Sequence, residues 1–131
     1  MTCSNPNATV SASVTEKLKE HARELEPYVI ESRRHFHAYP ELSAREISTS
    51  RTIAEELDKL GIEYVRAGGT GLIATIKGTA PDAYNEEGKP RRRIALRTDM
   101  DALPVLEQTK LPFASRNEGV MHACGHDCHM A

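Results

Sequence analysis

The chain has 131 residues, enough for one small domain with a core of its own. A net charge of −2 and a pI near 6.3 give no field that selects nucleic acid or an anionic membrane, and no stretch approaches the roughly 18 apolar residues of a membrane span. An apolar share of 39% without tryptophan predicts a thin core, and three cysteines make a poor disulfide framework, so a cytoplasmic protein with reduced thiols is expected.

The start, "MTCSNPNATVSASVTEK", lacks the basic-then-apolar pattern of a secretory signal. Residues 1–12 are small and polar and read as a disordered leader, which leaves 13–131 as the folded portion. From Thr15 the pattern is helical, with Val14, Leu18, His21, Ala22, Leu25 and Val29 recurring at spacings of three and four. Ser13 and Glu16 are spaced as a capping box, and Pro27 predicts a kink or a break. Pro40 ends this helix, and Ser43 with Glu46 forms a second capping-box pattern. Ile47, Ile53, Ala54, Leu57 and Leu60 then define another amphipathic helix, with Gly61 placed as its stop.

"IEYVRA" and "GLIATIKG" read as short strands on either side of a Gly68–Gly69 turn. Residues 80–90 are a polar loop rich in turn formers. In "RRIALRTDMDALP" the apolar "IAL" suits a buried strand whose end emits polar residues, which is where α/β folds usually place ligands. A last helix beginning near His126 has room for about one turn before the sequence stops. No internal repeat is visible.

Three of the six histidines and two of the three cysteines fall in "HACGHDCH", His122 to His129. In an extended segment, residues two apart share a side, so His122, Cys124 and His126 would point one way, and Gly125 would let the backbone bend around an ion. A thiolate with an imidazole suits zinc, and histidine with carboxylates also suits manganese. The same cluster also fits a metal-free arrangement in which His129 caps or packs, and Cys124 with Cys128 admits a redox pair although the spacing is not C-x-x-C. Asp99 and Asp101 leave the strand end on one side. They either serve a metal, directly or by orienting a ligating imidazole, or accept backbone N–H bonds in a turn. His35 and His37 are not neighbours on a helix surface, and Arg33 and Arg34 read as a solvated face. "GKPRRR" is short and without interleaved aromatics, hence solubilising rather than a nucleic-acid patch.

Taken together, "RRHFHAYPELSAREISTSRTIAEELDKLGIEYV", "GTGLIATIKG", "RRIALRTDMDALPVLEQTKLPFAS" and "GVMHACGHDCHMA" resemble, in that order, the amidohydrolase branch of the M20 metallopeptidases. That branch includes N-acyl-amino-acid, hippurate and auxin-conjugate amidohydrolases. The resemblance covers nearly everything from Glu31 onward. It implies an α/β fold, the N-terminal part of a zinc-peptidase-like catalytic domain with two helices followed by strands of a mixed sheet, incomplete here and cut within the site helix. It implies Cys124 and His126 as ligands of a centre of two divalent ions, Zn or Mn, and Asp99 as the catalytic-site aspartate that orients a ligating histidine. Arg97 stands two residues before Asp99, where related peptidases have histidine, and Cys128 stands where many relatives have glycine.

The implied chemistry is hydrolysis of an N-acyl-amino acid by a metal-activated water, with a glutamate as general base. In the family that glutamate, the remaining ligands and a small lid or dimerisation domain lie downstream of the "GHD" helix. The chain is therefore expected to bind metal weakly and to be inactive alone, and to form a homodimer or homo-oligomer at full length. No nucleic-acid or membrane partner is expected. A self-contained metal-binding or redox module, or a regulatory partner borrowing the fold, are the competing readings.

Overall fold

The computed structural model describes residues 12–131, so the leader expected over 1–12 lies almost wholly outside the described residues. The first helix, α1, runs Ala12–Ala38 and places Ser13 within it. It continues through Pro27, so the predicted break does not occur, although the proline ring leaves the Arg23 carbonyl without its helical donor. Only the last turn of α1 is buried, at Phe36, His37 and Ala38. Val14, Leu18, Leu25 and Val29, the stripe that defines the helix in sequence, remain exposed. The helix ends where Pro40 disfavours helical backbone at Tyr39, whose N–H is shared between the carbonyls of His35 and Phe36.

The second helix, α2, runs Ile47–Lys59, and its start differs from the capping box read at Ser43 and Glu46. No side chain at Glu46 caps it. Glu41 reaches forward instead, accepting the N–H groups of Ser48 (3.1 Å) and Thr49 (2.7 Å), while Glu46 accepts the Thr70 hydroxyl. The C-terminus follows the expectation: Gly61 has φ +66°, its N–H bonds the Asp58 carbonyl, and the Ile62 N–H bonds that of Leu57. This pair of bonds is a Schellman motif, and its left-handed position is one that glycine occupies without strain. Ala54 is buried, whereas Ile47 and Leu60 face outward.

Strands β1 (Glu63–Ala67) and β2 (Gly71–Thr75) form an antiparallel hairpin, in register from Glu63–Thr75 to Ala67–Gly71. The polar loop follows, folded on Asn85, whose Oδ1 accepts the N–H groups of Glu87 and Lys89. The buried strand expected at "IAL" is not formed. Residues 92–100 run without regular structure, and Ile94 and Leu96 are 90% and 93% exposed, because no described strand lies alongside to pair their backbone or cover their side chains. The sheet among the described residues is thus one antiparallel pair. Beyond it stand isolated bridges, parallel at Leu42–Ala102 and antiparallel at Leu103–Met121.

The core is thin, as composition predicts: Phe36, Ala38, Ala54 and Ala102, with Pro40 enclosed among them. It gathers where the C-terminal end of α1 meets the returning chain. There the Ala102 N–H bonds the Glu41 carbonyl, Arg116 N–H bonds that of Ala38, and the Asn117 side chain donates to that of Pro40. A final helix, α3, runs His126–Met130 and packs on α1. No described helix is long and apolar enough to cross a membrane.

Candidate metal centre

The site is assembled from two short segments, 97–101 and 122–129. The first is pinned just beyond Asp101, where Ala102 is tied to Glu41 and bridged to Leu42. The second turns at Gly125, whose φ of +90° lets an extended stretch enter α3 abruptly. The two segments meet at His126. Its Nδ1 lies 2.9 Å from the Asp101 carbonyl oxygen and 3.0 Å from Asp101 Oδ1, contacts that fix the ring and leave Nε2 as the nitrogen free to coordinate.

His129 lies three residues on, over the same helical face, and the two rings stack with centroids 5.4 Å apart. Asp99 completes the group: one ligand atom from each of Asp99, His126 and His129 lies within 4.8 Å of the others. Arg97 holds Asp99 Oδ1 through Nη2 at 2.8 Å and Nε at 3.0 Å, leaving the second carboxylate oxygen available.

Behind this face lies a buried polar layer. His37 presents Nδ1 to Asp127 Oδ2 at 2.8 Å and Nε2 to Glu107 Oε1 at 3.1 Å. Arg33 Nε donates to the same Asp127 oxygen at 3.2 Å. Arg33 is therefore not part of a purely solvated face, and Arg34 stacks over Phe113. Burial alone would raise the Asp127 carboxyl, but the His37 hydrogen bond and the Arg33 charge outweigh it and hold it below the ordinary carboxylate range. His122 is 5% exposed with neither ring nitrogen hydrogen-bonded, and burial pushes its pKa down.

Residues 95–131, the stretch that carries both site segments, match peptidase family M20/M25/M40. The chain is 48% identical over 120 residues to thermostable carboxypeptidase 1 of Saccharolobus solfataricus, covering 90% of this chain and 28% of that one. It is 43% identical over 117 residues to the N-acyl-L-amino acid amidohydrolase of Geobacillus stearothermophilus, covering 88% and 29%. Among solved structures it superposes on the Bacillus subtilis YXEP protein, a dinuclear metal-binding peptidase of the M20 family, with TM-score 0.70 and 42% identity over 82% of this chain and 28% of that one. By these matches the chain is similar to the M20 peptidase family, whose pattern lies over its residues 95–131. It spans under a third of the length of these relatives.

Within that M20 frame the donor set suits a divalent ion. Two imidazoles and a carboxylate converge, and one imidazole is oriented by a second carboxylate, an N/O set of the kind that coordinates divalent ions. Of the residues singled out in sequence, Asp99 and His126 are brought together, and His129, which spacing alone leaves without a role, joins them. Cys124 is an exposed free thiol outside this trio. The carboxylate that orients His126 is Asp101, two residues beyond Asp99. His122 is buried and Cys124 exposed, and the chain bends at Cys124 and Gly125 into the helix, so the extended run expected from His122 to His126 is not formed.

Proposed function

We propose that Asp99, His126 and His129, with Cys124 on the loop leading into them, form one wall of a zinc or manganese centre in an amidohydrolase. Its reaction is release of an amino acid from an N-acyl-amino acid. The observation that carries this reading is the convergence of the three ligand groups on a turn whose histidine is already oriented by Asp101. The naming of one relative as an N-acyl-L-amino acid amidohydrolase, and of another as a dinuclear metal-binding peptidase, supports it.

A bound divalent ion supplies Lewis acidity toward an amide carbonyl and toward an attacking water. The chain's own residues have simpler tasks. Asp99 and the two imidazoles hold charge and geometry, Asp101 keeps Nδ1 of His126 engaged, and Arg97 restrains Asp99. Among the described residues no glutamate joins the ligand cluster to act as a base. The three converging groups are therefore read as a binding wall, and the reaction asks for a base besides them.

A self-contained "HACGHDCH" site is less well supported, because the converging trio draws Asp99 from outside that stretch and includes neither His122 nor Cys128. The test is to incubate the purified chain with Zn²⁺ or Mn²⁺ and a panel of N-acyl-amino acids, following metal binding and amino-acid release together. Binding without release is expected. Release by this chain, or failure to bind, would overturn the reading.

A further inference from the structure

Helix α3 has five residues and follows Gly125 without a side-chain cap, so it cannot hold its own direction. Something outside it must. Asp127 is 1% exposed, although it directly follows the half-buried His126. Successive side chains on a helix diverge by about 100°, while residues three apart share a face. Fixing Asp127 inward therefore fixes the direction of His126 and His129 together.

The inward contact comes from α1. His37 Nδ1 meets Asp127 Oδ2 at 2.8 Å, Arg33 Nε supports the same oxygen, and Oδ1 takes the Cys128 N–H at 3.0 Å. His37 is itself held from the opposite edge by Glu107. That carboxylate is anchored by the Ser115 N–H at 2.6 Å and the Thr109 hydroxyl. The His37 ring is thus clamped between two carboxylates, one rooted in the 107–115 loop and one in α3.

We propose that His37 is a positioning residue for the metal centre: through Asp127 it sets the direction in which α3 presents His126 and His129. The inference rests on the metal reading above, and it separates two contacts of one ring. The Asp127 contact governs the ligands, and the Glu107 contact only steadies the ring.

Isosteric amides distinguish them. An asparagine amide nitrogen falls near the position of Nδ1, and a glutamine nitrogen near that of Nε2. Cobalt(II) titration of the 131-residue chain, read by visible absorption and by competition with a chelator, is the measurement. In His37→Asn the Asp127 contact survives, and cobalt affinity stays close to that of the unsubstituted chain. In His37→Gln it is lost, and affinity falls by roughly 10–100-fold with a changed absorption band. Each variant sacrifices one of the two hydrogen bonds, so thermal unfolding of the metal-free proteins drops comparably in both. A merely structural histidine would weaken cobalt binding equally in the two variants, and that result would overturn the proposal. Unchanged binding in His37→Gln would overturn it too. If the unsubstituted chain binds no cobalt, the metal reading itself fails and takes this inference with it. Should a His37 variant not fold, Arg33→Gln, at a side chain 43% exposed, probes the same link to Asp127: weaker cobalt binding is expected, and unchanged binding would overturn the proposal.

Discussion

At His126 one ring nitrogen is committed to Asp101 and the other is free, the division of labour that the proposed ligand role requires. Replacing Asp101 by asparagine keeps the size of the side chain but removes its charge, and should weaken zinc binding by about tenfold while leaving the fold intact. Calorimetric titration of the two proteins checks this. Glu107 carries a second residue-level prediction. Burial alone would raise its carboxyl, but the Ser115 N–H, the Thr109 hydroxyl and His37 hold it below the ordinary range. A carboxyl depressed in the folded state adds stability above its unfolded pKa, about 4.3, and loses it as pH falls through the lower folded value. Glu107→Gln should therefore cost about 1–3 kcal/mol at pH 7 in urea unfolding, a difference that shrinks toward pH 3. An equal difference at both pH values would contradict the assignment. His126 and Asp99 are legible in the sequence because they sit in a dense motif. His129 is not, because a period of two fails once the segment turns helical after Gly125, where a period of three links it to His126. His37 is silent in the sequence because its partners lie 70 and 90 residues away.

Helix α2 shows what a local pattern can and cannot carry. Its end is readable because a Schellman motif is made within a few residues of chain, with Gly61 at the left-handed position. No atom would obstruct a Cβ at Gly61, so Gly61→Ala pays only for the backbone conformation, about 1 kcal/mol by chemical denaturation. Its start escapes a local pattern because the cap comes from Glu41, which lies outside the Ser43–Glu46 window. Glu41→Ala should accordingly cost about 1 kcal/mol, whereas Ser43→Ala should leave stability unchanged. The reverse order of effects would restore the capping box. The hairpin is legible for the same reason as Gly61: alternation and a Gly–Gly turn are short-range signals.

For the molecule as a whole, the helix pair, the hairpin and the aspartate segment at 99–101 are readable from sequence, but which apolar faces find a neighbour is not. Ile94 and Leu96 have the character of core strand residues and the exposure of surface ones. With nothing packed on them, the double substitution Ile94→Thr, Leu96→Thr should shift unfolding free energy by less than about 0.5 kcal/mol and reduce self-association in sedimentation. A large loss of stability would mean that these side chains are packed after all. What is hydrogen-bonded instead is a polar layer, Arg33, His37, Glu107 and Asp127, that ties α1 and the 107–115 loop to the helix bearing the proposed ligands. Whether Asp99, His126 and His129 share one divalent ion is decided by zinc titration of the chain beside its His126→Ala variant. One binding event is expected in the parent, weakened by more than roughly 100-fold in the variant, beyond what a lost supporting contact costs. Equal binding by the two, or none by the parent, would refute the shared ion.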